Sequence, residues 1–446
     1  MTKPTGVLHL ALLLAVGCGG DDELTSANPA RDPRPELLPA EQVTCPVTVD
    51  DKSCDIDKRP ILFIHGKSSA GDSIAHPAQL FASNGYCGRW IRAIDYDAVG
   101  SEDPVAAFPA VEAQITQAIE ELLDASQVDK IDLLAHAQGA IHGARYVTAH
   151  PEKIAHYVHL AGGQLSANPG GVKTLCVSSM GDRPVTCNTT KNVTFDDPTL
   201  DHFAVCSSRE AFRAMYSFLN DAAPEYDSVQ CGDPVVIEGR ALSFGDNERM
   251  AGGKIEVYAM GPDPRERTEP LTTLEVREDG SVGPWTVQRG VAYEFKLIPP
   301  DGDGRATRYA YFKPWIRSDR LLRFTFESRR VTPLANLSDG TAALWLRRRQ
   351  GAFLHGRDRL LIDGYDAINA EDAMPRASVL GLYVLDQDGD RVSSGGAVLR
   401  ETFVSGTDVY LQTDRPAYIE VDFNGQKLRV PNWPSRSAGL SMVWLD

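Results

Sequence analysis

The chain has no basic excess. Lys and Arg number 45 against 61 Asp and Glu, a formal net charge of −16. That balance argues against nucleic acid and anionic membrane surfaces, both of which call for basic patches. Paired CxxC and HxxxH spacings are missing, so no metal or cofactor is expected. The acidic trio Asp386, Asp388 and Asp390 lacks the rest of an EF-hand loop and reads as a solvated turn. Beyond the N-terminus no run approaches the roughly 20 apolar residues of a membrane span. What is present is an ordinary globular composition, 42% hydrophobic and 24% charged, over 446 residues. That length suggests two to three domains.

The first residues are a signal. Lys3 precedes a short apolar run ending "LAVGC", too short to span a bilayer. The ending resembles a bacterial lipobox, with Ala15 three before Cys18. Residues 1–18 are therefore expected to be a lipoprotein-type signal peptide, with Cys18 as the lipid anchor. Residues 19–43 are polar and proline-rich, a flexible tether. Export to the bacterial cell envelope follows as an expectation, with plain secretion as the alternative. In that oxidising setting seven cysteines remain after Cys18, so at least one is unpaired within the chain. Cys45 and Cys54 flank a short polar loop that suits a local bridge. Cys176, Cys187, Cys206 and Cys231 lie close together in sequence.

From residue 44 to 226, short apolar runs alternate with helical segments. "PILFIHG", "RWIRAIDYD", "KIDLLAH", "KIAHYVHLAGG", "VKTLCVSSMGD" and "KNVTFDD" are strand candidates. "AAFPAVEAQITQAIEELLDA" is a long helix, and Ser207-Ser208-Arg209-Glu210 opens another with a capping-box pattern. Alternation of this kind implies an α/β fold with a mainly parallel sheet covered on both faces. After residue 231 only strands and turn clusters appear. This half is expected to be all-β, with domains at 233–330 and 331–446, and to form two sandwiches.

"KIDLLAHAQGA" carries the chemistry. It has the frame of the nucleophile elbow G-x-S-x-G, with Ala135 first, Gly139 last and Ala137 at the tip. The turn after "FIHG" offers the Lys67 backbone amide as one oxyanion donor, and Gln138, after the tip, offers the second. His202 follows the last strand of this half and precedes its last helix, the slot of a general base. Asp182 ends the strand before it, where a carboxylate orients the imidazole. These residues resemble lipases of the α/β-hydrolase fold that carry a C-terminal lipid-binding β region. "DHFAVCSSREAFRAMYSFLND", "VVIEGRAL" and "LRVPNWP" belong to the same resemblance. It implies hydrolysis of carboxylic esters, including acylglycerols, with a lipid or ester small molecule as ligand and membrane attachment through Cys18. It also implies a serine where Ala137 stands. In some members the acid sits one strand earlier, where this chain has Ala161. Ser68, Ser69, Ser178 and Ser179 occupy no strand-to-helix elbow.

Three functions follow. One is an exported esterase whose nucleophile has been changed, inactive or nearly so as written. Another is a natural pseudoenzyme that binds an apolar or lipid ligand. The third is a purely structural envelope lipoprotein.

Overall fold

In a computed structural model, residues 45, 48–50, 53–100, 103–327, 329, 334–368, 370–371, 373–374, 378–401 and 403–445 are described. The expected signal peptide, the tether and Cys18 lie outside them.

A short strand, β1 (Thr48–Asp50), precedes a six-stranded sheet. Its first member is β2 (Ile61–Ile64), four apolar residues that are all fully buried. Ile61 and Phe63 pack on one face of the sheet, Leu62 and Ile64 on the other. This two-sided burial is why the run is continuously apolar rather than alternating. The chain continues through α1 (Ala75–Ser83), β3 (Ile91–Ile94), α2 (Pro104–Ser126), β4 (Ile131–His136) and α3 (Gln138–Ala149). It ends this half with β5 (Ile154–Leu160), β6 (Lys173–Ser179), β7 (Lys191–Phe195), α4 (Ala204–Ser207) and α5 (Arg209–Asn220). The strand order is β3-β2-β4-β5-β6-β7, and every pairing is parallel. The order reverses direction between β2 and β4, and a site in such a sheet belongs at the carboxyl ends of those strands.

Local signals set the helix ends. Asp103 caps α2, accepting a hydrogen bond from the Val105 amide, with Pro104 in the first turn. Ser208 caps α5 through the Ala211 amide at 3.1 Å. Phe212, Met215, Tyr216 and Leu219 of α5 bury against the sheet, as their spacing predicts.

The β region begins with β8 (Cys231–Asp233), which pairs in parallel with β1, and β9 (Val235–Ser243). β9 is the centre of a three-stranded sheet, between Ser281–Val287 and Asp319–Phe326. A four-stranded sheet includes Tyr418–Phe423 and Gln426–Pro431. The largest sheet has nine strands and crosses the boundary expected near Arg330. Strand Ser441–Leu445 lies at its middle, parallel to Arg308–Phe312 on one side and to Leu344–Arg348 on the other. The β region thus contains several sheets, one of them common to both of its halves.

Three disulfides are present among the described residues: Cys45–Cys231, Cys54–Cys87 and Cys176–Cys187. The local Cys45–Cys54 bridge is not formed. Cys45 instead ties the N-terminal segment to β8, and Cys54 closes on the loop before β3. Cys206 is a buried free thiol.

Candidate active site

Ala137 sits between β4 and α3 with φ 51° and ψ −118°. This lies outside the regions that L-residues favour, and holding it costs on the order of 1–3 kcal/mol. The turn is pinned on both sides: the Ala137 amide donates to the Leu160 carbonyl at 2.9 Å, and the Ala137 carbonyl accepts from the Ala140 amide at 3.0 Å. Such a turn aims the tip side chain away from the sheet. It also presses the start of α3 against the end of β2. A Cβ on Gly139 would lie 2.3 Å from the His65 carbonyl oxygen and 2.5 Å from that of Ile64, so only glycine fits there. The alanine in the first slot of the motif has a matching relief. A Cβ on Gly143, one turn into α3, would come within 2.7 Å of the Ala135 Cβ. Glycine at 143 makes room for the methyl that Ala135 adds.

The turn after β6 and the loop before α4 bring Asp182 and His202 together. His202 Nδ1 lies 2.8 Å from Asp182 Oδ2. With Nδ1–H donated to the carboxylate, Nε2 is the basic nitrogen. Both side chains are largely buried, His202 at 23% exposure and Asp182 at 14%. Burial by itself raises the Asp182 pKa, but the hydrogen bond from His202 and its charge outweigh it, and the carboxyl is held below its ordinary value. His136, the residue before the elbow tip, packs its ring 4.8 Å from the His202 ring, and its Nε2 lies 2.9 Å from the His202 carbonyl oxygen. Burial, and then the neighbouring His202, lowers the His136 pKa to about 3. It is therefore a neutral donor that fixes the backbone under His202. Phe203 packs edge-on against His202 and against Phe403 of the β region.

Lys67 lies in the turn after β2 with its side chain exposed, and Gln138 is the first residue of α3. A helix start directs backbone N–H groups outward, as an oxyanion requires. Ala161 follows β5 at φ 46°, with its amide on the Val177 carbonyl at 2.9 Å. Nearby serines are engaged elsewhere. Ser69 Oγ pairs with Ser73 Oγ, Ser178 Oγ lies 3.1 Å from Thr194 Oγ1, and Ser179 Oγ donates to the Leu200 carbonyl.

A parallel sheet with a strained strand-to-helix tip, and a histidine–carboxylate pair on the following loops, decides the architecture. The first domain has the α/β-hydrolase fold. Beyond it, residues 233–329 match the family model described as the lipase C-terminal domain, and residues 331–446 match a second model described as a C-terminal domain. No curated protein matches the chain. Among solved structures, the chain is similar to lipase B of Aspergillus fumigatus, at 12% identity over 40% of this chain and 56% of that one, with a TM-score of 0.28. It is similar to the lin2722 product of Listeria innocua at 11% identity, over 39% of this chain and 98% of that one, with a TM-score of 0.28. A thioesterase domain from the curacin biosynthetic pathway matches at 23% identity over 25% of this chain and 38% of that one, with a TM-score of 0.20.

The residues of the β region that reach the candidate site carry no signal in the sequence. Asp201, next to His202, accepts from the Phe203 and Ala204 amides through Oδ1, and from the Ala352 amide and Arg357 through Oδ2 at 3.0 and 2.9 Å. Asn247 reaches the loop after β2 in the same way. No local pattern marks either contact, because the partners are more than a hundred positions apart. The acidic trio has carboxylate oxygens within 4.8 Å of one another. They accept the backbone amides of Gly389, Asp390, Arg391 and Val392, as a turn requires.

Proposed function

We propose that this site is built for hydrolysis of carboxylic esters of the acylglycerol type, and that Ala137 stands in the position of its nucleophile. The observation that carries the reading is the strained tip itself. A non-glycine residue at φ 51° is retained although its methyl group does no chemistry. In the proposed chemistry a serine at 137 would attack the ester carbonyl, with His202 Nε2 taking its proton and Asp182 orienting the imidazole. The amides of Lys67 and Gln138 would stabilise the oxyanion. As written, His202 has no hydroxyl to deprotonate, and the chain is inactive or nearly so. The match of residues 233–329 to a lipase C-terminal domain supports a lipid-type ester. Three disulfides support an exported protein, and the "LAVGC" sequence supports anchoring through Cys18. The test is hydrolysis of p-nitrophenyl esters by Ala137→Ser, compared with the parent and with Ala137→Ser carrying His202→Ala.

A second reading, a pseudoenzyme that binds an apolar ligand, is favoured by one observation. Ala161, like Ala137, keeps a positive φ, and it stands where the resemblance places the acid of some lipases. Displacement of a fluorescent fatty acid from the unaltered chain tests it. Saturable binding together with an inactive Ala137→Ser variant selects this reading.

A further inference from the structure

We propose that Asn247, in the turn after β9, is the positioning residue of the oxyanion loop, so that the β region is part of the hydrolase site. The inference rests on the reading of the turn after β2 as an oxyanion loop.

Asn247 is 5% exposed and lies 178 positions from the residue it holds. Its Nδ2 donates to the Ser69 carbonyl at 2.9 Å and to the Tyr96 carbonyl at 3.0 Å. The same nitrogen lies 3.3 Å from His65 Nε2. His65 Nδ1 is 2.8 Å from the Gly66 carbonyl, which only accepts, so Nδ1 carries the proton and Nε2 faces Asn247 with a lone pair. Burial lowers the pKa of His65, in keeping with that neutral tautomer. One amide therefore ties the end of β2 to the end of β3. The His65 and Tyr96 rings stack below it, 4.5 Å apart.

The orientation of this amide is itself fixed. Asn247 Oδ1 accepts from Arg323, which is 2% exposed and also donates to the Ser243 carbonyl at 2.7 Å. Rotating the amide would set its oxygen against two carbonyl oxygens and its NH₂ against a guanidinium. The loop it holds is also tied by Ser69 Oγ on Ser73 Oγ and by the Gly71 amide on Asp95 Oδ1 at 2.7 Å, but neither bond engages the Ser69 carbonyl. The loop's turn hydrogen bond, Ser69 N to Gly66 O, is 3.4 Å long, and Ser68 sits at φ 57°. Lys67 lies between Gly66 and Ser68, so the direction of its amide depends on where Ser69 is held. The His202 side has the same construction, with Arg357 and the Ala352 amide on Asp201. Residues of the β region thus grip both loops that flank the elbow.

Two arms test the proposal on the full chain. In the unaltered protein, Asn247→Ala should speed amide hydrogen exchange at residues 66–70 by about tenfold or more while the sheet strands keep their protection. In Ala137→Ser, Asn247→Ala should lower kcat by about 10- to 100-fold and leave KM within about threefold, because misplaced donors act on the transition state. Asn247→Asp is the second variant. It keeps a partner for Arg323 but turns an acceptor toward the Ser69 and Tyr96 carbonyls, and the same losses are expected. Unchanged exchange at 66–70, exchange that rises equally everywhere, or an unchanged kcat each overturns the proposal. If Ala137→Ser is itself inactive, the hydrolase reading fails, and the exchange arm alone decides whether Asn247 holds the loop.

Discussion

Adding one oxygen at position 137 is the sharpest perturbation the structure offers. Ala137→Ser keeps the backbone and the Cβ already in place. The residue is partly exposed, so the added Oγ has room. Gly66 leaves space beside it, since a Cβ there would fall 2.9 Å from the Ala137 Cβ. Stability should therefore change by no more than about 0.5 kcal/mol. The kinetic change should be large. Removing the nucleophile from a comparable triad costs about 10⁶ in kcat, or ~8 kcal/mol at ~1.36 kcal/mol per decade. The parent should retain at most the roughly 10³–10⁴ over water that oxyanion donors and binding provide. Because the residues act as a unit, His202→Ala in the Ala137→Ser background should return the rate to that of the parent. Asp182→Asn should lower it by about 10⁴, through loss of the correct tautomer. The assay is initial-rate hydrolysis of p-nitrophenyl esters, with circular dichroism and a thermal melt to establish folding. An Ala137→Ser protein that melts like the parent and hydrolyses within about tenfold of it refutes the reasoning.

Four further outcomes are expected. Gly139→Ala should destabilise by at least about 3 kcal/mol in urea titration, because its Cβ meets two backbone carbonyls that cannot move independently of β2. Replacing both Cys45 and Cys231 by serine should cost about 2–5 kcal/mol by the same titration, since that bridge closes a loop of 186 residues. Cys206 should resist thiol reagents in the native protein and react on unfolding, because burial, and then Asp201, pushes its pKa up. The Asp182–His202 pair should make stability acid-sensitive. The folded Asp182 pKa is lowered, so the unfolded state takes up the proton first as the pH falls. The stabilisation is complete above about pH 4 and is lost as the pH drops through the folded value. Urea midpoints between about pH 2 and 5 should show this slope in the parent and a shallower one in Asp182→Asn.

The hydrolase domain was legible because its signals are local. A four-residue apolar run with both faces covered makes β2, and Ser208 starts α5 within the capping pattern. The elbow frame needs small residues at fixed spacing, and Gly139 shows why in its contact with two carbonyls. The order of Asp182 and His202 along the chain followed from the order of strands. Features decided by three-dimensional neighbours were not legible. Sequence proximity suggested Cys45 with Cys54, yet Cys45 meets Cys231 because β1 pairs with β8. The β region read as all-β because its strands alternate everywhere, and it is built of several sheets. Which strand joins which sheet depends on pairings across long stretches of chain, and these leave no periodicity. Asn247 lies in an ordinary turn by sequence, and only the packing of that turn under the loop after β2 marks it.

The central strand Ser441–Leu445 has a consequence for how the protein is made. Its two neighbours, Arg308–Phe312 and Leu344–Arg348, are both synthesised roughly a hundred residues earlier and pair with it in parallel. Until it emerges from the ribosome, each neighbour has an open edge whose backbone groups are unpaired on that side. The two halves of the β region therefore wait for the same segment, and neither can finish its largest sheet alone. Nascent chains that stall before residue 441 should be recognised by chaperones and proteases as unfinished, although the hydrolase sheet has long since been synthesised.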